Sequence, residues 1–135
     1  MKMENNLSER ELEQVVGGSG TGAGMAEWAW HAYEEQWSYV WGGAEPGGVD
    51  TSGLIFSYAG GARSSEAMFA GASEKGVIST LPEQPGIGVY MYGHVGVYVG
   101  HGTVISAENE AAGITARPVS AGGWTHWFRI SGVSY

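Results

Sequence analysis

No cysteine occurs among the 135 residues, which excludes disulfides, thiolate metal sites and any thiol nucleophile while leaving the redox compartment open. Positive charge is nearly as scarce. Six Lys and Arg stand against fourteen Asp and Glu, a formal charge of -8. Such a balance repels phosphate backbones and anionic lipid, so no nucleic-acid partner is expected. No apolar run nears the ~18 residues that span a bilayer, so no membrane insertion is expected, and the basic start and apolar stretch of a Sec-type signal peptide are missing. Phosphate loops are missing too: SGTGAG (19–24) and GGAEPGG (42–48) lack the Lys-Ser/Thr ending that such loops need. His31, His94, His101 and His126 show no metal-ligand spacing, so neither metal nor cofactor is expected.

What remains is the composition of one folded domain. Hydrophobic residues make up 43% and charged residues 15%, which is far from the charged, apolar-poor signature of disorder. The 24 glycines follow no fixed period, so they read as tight turns between short strands and not as a repeat.

Along the chain, Met1 to Gly18 contains LSERELEQVV, with apolar residues at 7, 12, 15 and 16, a short amphipathic helix ending at Gly17-Gly18. Residues 19–24 read as a Gly-rich linker, which places the domain at 25–135. MAEWAWHAYEEQWS (25–38) reads as a helix with Trp30, Tyr33 and Trp37 turned to the core. Trp28 and Trp124 are the tryptophans expected to be exposed. After a Gly/Pro-rich loop, 51–59 reads as a helix capped by Asp50 or Thr51, and 63–72 as a third, short helix. Beyond Leu81 the pattern turns to strands at 89–92, 94–100, 103–107, 114–119 and 125–130. Helices followed by a strand meander make an α+β domain.

Two separated strings carry the chemistry. Tyr39-Val40-Trp41-Gly42-Gly43, continuing to Asp50-Thr51-Ser52-Gly53-Leu54, is followed forty residues later by His94-Val95-Gly96-Val97-Tyr98. In order and spacing they resemble the NlpC/P60 family of papain-like cell-wall peptidases. There a tyrosine and W-G-G precede an Asp-Cys-Ser-Gly-Leu motif, and a later H-V-G-I-Y strand supplies the base. The resemblance spans about Met25 to Gly132 and implies a papain-like fold, N-terminal helices packed on a small antiparallel sheet. In such a site a thiol at a helix N-terminus is activated by the helix dipole and by an imidazole, a third polar group orients that imidazole, and backbone N–H groups and the tyrosine stabilise the oxyanion.

Tyr39 and His94 occupy two of these positions, but Thr51 stands where the family has its cysteine and Ser106 where it has the orienting residue. The Pro-Gly-Asp-Leu turn before the histidine strand reads Pro85-Gly86-Ile87-Gly88, which removes another polar residue. An internal threonine has no terminal amine to activate it, and its β-branch restricts χ1. Glu108, Ser52 and His126 are the residues that could restore a site.

Leu7-Ser8, Glu11-Leu12 and Val15 before Gly17-Gly18 also resemble the double-glycine leaders of bacteriocins and related exported peptides, removed by the peptidase domain of a dedicated ABC exporter. The alternative for this segment is an ordinary amphipathic helix and linker. Together the resemblances imply a bacterial protein, secreted or cell-wall associated, directed at peptidoglycan stem peptides or a wall-associated partner. The expected function is a catalytically degenerate binding or bacteriocin-like factor, and the alternative is an active peptidase or amidase using Thr51 with His94.

Overall fold

The computed structural model describes residues 20–135. The leader pattern, with Gly17 and Gly18, lies outside the described residues. In chain order the elements are β1 (Gly20–Thr21), α1 (Gly22–Glu34), β2 (Ser38–Tyr39), β3 (Ala44–Glu45), β4 (Gly48–Val49), α2 (Gly53–Ala59), α3 (Ser65–Ala70), β5 (Lys75–Val77), β6 (Ile87–Met91), β7 (His94–Gly100), β8 (Thr103–Asn109), β9 (Gly113–Pro118), β10 (His126–Phe128) and β11 (Val133–Ser134). The main sheet has the order β5-β10-β6-β7-β8-β9, with every neighbouring pair antiparallel. This is the α+β arrangement that the residue pattern predicts. No helix among the described residues is long and apolar enough to cross a membrane.

The central strand β7 is buried on both faces, which is why its sequence, HVGVYVG, reads as a nearly continuous apolar run. Val95, Val97 and Val99 join Met25, Ala29, Leu54 and Ile55 in the core under the helices. Tyr98 turns to the other face and packs with Val89, Val104 and Trp124. Successive residues of a strand face opposite ways, so His94 and Gly96 share the Tyr98 face.

Two expectations are corrected on α1. Its fully buried stripe is Met25, Ala29 and Ala32, while Trp30 and Tyr33 are only half-buried and meet edge-on at 5.8 Å. Close approach of a helix to a sheet favours small side chains, so the aromatics are displaced to the flanks. Trp37 is buried, yet it lies beyond the helix end. The composition of 19–24 predicts a linker, but its described part is ordered: β1 pairs in parallel with β11, and Thr21 caps α1, its Oγ1 accepting the Gly24 N–H at 3.0 Å. Gly20 and Gly24 serve packing here and not flexibility, because a Cβ at either would collide with the Tyr58 side chain. The Tyr58 hydroxyl accepts the Thr21 N–H at 3.1 Å.

Helix α2 begins at Gly53, two residues later than its apolar pattern suggests, because the turn 50–52 is locked by side chains. Asp50 Oδ1 accepts the Gly53 N–H at 2.7 Å and Oδ2 the Gly42 N–H at 3.2 Å. Arg63 then binds three groups of this turn and its neighbour: Ser52 Oγ at 2.8 Å, the Gly43 carbonyl at 2.9 Å and Asp50 Oδ2 at 3.1 Å. The Ser52 hydroxyl donates back to the Arg63 carbonyl at 2.6 Å. At the far end of the chain, the Tyr135 hydroxyl donates to the Gly86 carbonyl at 2.6 Å and accepts the Ile130 N–H at 3.1 Å. Burial pushes its phenol up to about 12, partly offset by the Ile130 N–H and by Arg129.

Two measurements check these locks. Arg63→Ala leaves Asp50 and Ser52 without their cationic partner and is expected to lower stability by about 1.5–3 kcal/mol in urea unfolding; a loss below about 0.5 kcal/mol contradicts the role given to Arg63. Tyr135 has a raised folded-state pKa against about 10 in the unfolded chain, so its contribution is intact below pH 10. It is lost as pH climbs towards 12. Tyr135→Phe should flatten this alkaline limb, and an unchanged limb contradicts the assignment.

Candidate active site

Thr51 sits at the end of the locked turn, directly before Ser52 and α2, and is half-buried. Its Oγ1 lies 2.5 Å from His94 Nδ1, 3.2 Å from the Val95 carbonyl and 3.3 Å from the Val95 N–H, which donates to it. A hydroxyl has one proton, and all three contacts are satisfied together when it donates to the Val95 carbonyl while its oxygen accepts from the Val95 N–H and from His94 Nδ1–H. Burial pushes the His94 imidazole below its usual range, and the Glu108 carboxylate pulls it partly back. The sequence-predicted pair, 43 residues apart, is thus assembled in the fold.

His94 is aimed by its surroundings. Its ring stacks on Trp124 with centroids 5.1 Å apart and planes 11° from parallel. Trp124 is 9% exposed, which corrects the expectation of an exposed indole. The stack fits because Gly96, next to His94 on that face, has no side chain; a Cβ there would press within 3.2 Å of the indole. The turn leading into His94 is clamped by α3, whose Glu66 Oε2 accepts the Gly93 N–H at 2.6 Å and the Tyr90 hydroxyl at 3.2 Å.

Tyr39 ends β2, which is paired in parallel with β4 in register with Val49, so it stands beside the 50–51 turn. Burial raises its phenol pKa, as do Asp50 and Glu110, while the Thr51 backbone N–H pulls it down. Tyr39 therefore stays protonated at neutral pH. Ser106 lies on β8, opposite Thr115 of β9, 5% exposed, and its hydroxyl has no hydrogen-bond partner among the described residues. It floors a cleft of about 440 Å3 that is also bounded by His94, Trp124, Glu108, Thr115 and Arg117. Thr51 is not part of that lining.

The three residues considered able to restore the site fare differently. Glu108 reaches the cleft, but its carboxylate is held by Arg117 Nε at 2.9 Å and kept below its usual range by Arg117, Thr115 and His94. The Ser52 hydroxyl is consumed by Arg63. His126 lies on β10 against Phe69 and Tyr90, with Nδ1 at Thr125 Oγ1, 2.9 Å. Among the described residues no three His, Asp or Glu side chains come together as a metal site. Sequence reasoning missed Arg63 and Glu66, for which no local pattern exists. It could have found Trp124, since a glycine beside His94 on its own face leaves room for a ring.

The two most exposed aromatics flank these motifs. Trp41, two residues after Tyr39, is 85% exposed, and Tyr92, two before His94, is 87% exposed. The expectation of an exposed Trp28 is corrected, because it is half-buried and its Nε1 donates to Ser57 Oγ at 2.9 Å.

Residues 36–133 match the model of the NlpC/P60 family. Over 93 residues the chain is 36% identical to proteins named probable endopeptidases in Mycobacterium tuberculosis and Mycobacterium bovis, a match covering 63% of this chain and 23% of theirs. The chain thus spans about a quarter of the length of those relatives. Among solved structures it is similar to the NlpC/p60 domain of the peptidoglycan hydrolase SagA, with TM-score 0.62 and 21% identity, covering 82% of this chain and 99% of that one. It is also similar to the peptidoglycan hydrolase RipB from Mycobacterium tuberculosis, with TM-score 0.60 and 25% identity, covering 81% and 66%. The matched span holds Tyr39, Thr51, His94 and Ser106, and the chain belongs to the NlpC/P60 family.

Proposed function

We propose that this protein is an exported, wall-directed member of the family that binds peptidoglycan stem peptides, as a binding or bacteriocin-like factor, without cysteine-peptidase chemistry. The observation that carries this reading is the state of the Thr51–His94 pair. The hydroxyl is engaged by His94 and by both backbone groups of Val95, and no polar group among the described residues holds the opposite ring nitrogen. A hydroxyl whose pKa lies far above that of imidazole needs an oriented base to become a nucleophile. Here the ring is steadied by an indole face, which fixes its plane, while no carboxylate or amide among the described residues hydrogen-bonds it and Glu108 acts on it only through space. The names of the relatives, peptidoglycan hydrolases and endopeptidases, support the choice of ligand.

The second reading, hydrolysis by Thr51 with His94 as base and Tyr39 at the oxyanion, is favoured by the 2.5 Å contact alone. Digestion separates the two. The native protein is expected to sediment with purified peptidoglycan while releasing no stem-peptide fragments by mass spectrometry. Fragment release abolished by Thr51→Ala establishes the hydrolytic reading instead. Thr51→Cys places a thiol against His94 and is expected to alkylate with a midpoint below the ~8.5 of a free thiol, lower still with Ser106→His, which returns a polar partner to the ring. Ordinary thiol reactivity in both variants contradicts the geometry of the pair.

Export is proposed on residues 7–18, with Gly17-Gly18 recognised by the peptidase domain of a double-glycine ABC exporter. Removal of residues 1–18 takes away two of the six basic and four of the fourteen acidic residues, leaving -6, so attachment to an anionic wall rests on the groove and not on charge. Co-expression with such an exporter should yield a secreted form whose intact mass begins at Ser19. A bulky residue at Gly17 should block the cut, and Leu12→Ala should weaken it. Secreted protein retaining residues 1–18 overturns this assignment.

A further inference from the structure

The proton order of the Thr51–His94 pair depends on what meets the other ring nitrogen. With the Thr51 hydroxyl donating to the Val95 carbonyl, the neutral ring donates from Nδ1 and Nε2 is left as an acceptor. A ring in that state has no lone pair facing Thr51 and does not take its proton. A base needs Nδ1 bare and its proton on Nε2, an order that a carboxylate at Nε2 enforces.

A carboxylate stands close by. A Cβ on Gly96 would lie 3.2 Å from the Ser106 Cβ, so β7 and β8 run side by side at these two residues. The strands are antiparallel, and one same-face step along each brings His94 and Glu108 to neighbouring places. Both line the same cleft, and each feels the charge of the other. No hydrogen bond joins them among the described residues, and Arg117 accounts for that. Val104 stands opposite Arg117 and Ser106 opposite Thr115, so the Arg117 side chain lies along the cleft, past Thr115, to bring Nε within 2.9 Å of Glu108 Oε1. A carboxylate set between a guanidinium and a neutral ring pairs with the guanidinium. With side chains 52% and 33% exposed, the Arg117–Glu108 pair contributes little to stability. Its consequence is where the carboxylate rests.

We propose that Arg117 withholds Glu108 from His94, and that Glu108, once released, accepts a hydrogen bond from Nε2–H and reverses the proton order of the pair, so that Nδ1 receives the Thr51 hydroxyl. Glu108 is then a latent positioning residue, two places beyond Ser106 on the same strand face, and Arg117 is its restraint. The proposal deepens the reading of a wall-directed protein without peptidase chemistry and rests on it for the resting state of the pair.

The test follows the His94 ring nitrogens by NMR in the isotopically labelled full chain at neutral pH, where burial keeps the ring neutral. The native protein and Glu108→Gln are expected to carry the ring proton on Nδ1. Arg117→Gln is expected to move the tautomer ratio towards Nε2–H by at least about tenfold, the weight of one hydrogen bond to a charged group. Arg117→Gln combined with Glu108→Gln is expected to return the ratio to the native order. The double variant separates contact from charge, because it lacks the Arg117 charge as the single variant does, and an effect of that charge alone would persist in it. A native ring already protonated on Nε2, an unchanged ratio in Arg117→Gln, or a reversal that survives in the double variant overturns the proposal. Sedimentation with peptidoglycan reads the other level. Wall binding without the reversal overturns the restraint and leaves the wall reading standing, whereas the reversal without wall binding upholds the restraint and overturns the wall reading.

Discussion

The guanidinium of Arg63 gathers three groups at one point: the Gly43 carbonyl, the Asp50 carboxylate and the Ser52 hydroxyl. Each comes from a segment that is too short or too rich in glycine to hold its own shape. With them tied together, the first turn before α2 has a fixed direction and Thr51 has a fixed position. Because Arg63 is itself anchored through its carbonyl by Ser52, the lock is reciprocal. The arrangement of the site follows from it: Thr51 reaches Val95 at the start of β7 and meets the ring of the preceding residue, while β2 and β4, tied to the same turn through Gly42 and Gly43, bring up Tyr39.

The opposite half of the site is set by packing and not by charge. β7 is central in the sheet and buried on both faces, so its register cannot slip without turning Val95, Val97 and Val99 out of the core. That register fixes the face of His94, and Gly96 and Trp124 then fix the plane of its ring. The clamp from Glu66 closes the turn before it. An ionic lock on one side and a packed strand on the other hold two side chains at hydrogen-bond distance across 43 residues of sequence.

Much of this was legible in the residues because periodicity is local. The run 94–100 is the strand that its apolar, β-branched sequence indicates, and the motif spacing brought Thr51 and His94 to one place. What was not legible depends on partners distant in the chain. A Gly-rich stretch reads as a linker until Tyr58 is seen to fill the space above Gly20 and Gly24. Aromatics at helical spacing read as a core face until the sheet's close approach selects Ala29 and Ala32. The bonds of Arg63 and Glu66 leave no periodic trace, since single polar residues on loops and short helices look alike wherever they point.

The docking of β1 orders events in time. Gly20 is buried beneath Tyr58 and paired with Val133, so the polypeptide after Ser19 is already committed to the folded body. A protease that grips its substrate as an extended strand on both sides of the scissile bond needs those same residues free. On the proposed export route, maturation between Gly18 and Ser19 therefore belongs to the unfolded or emerging chain, and folding itself is the step that ends the window for cutting.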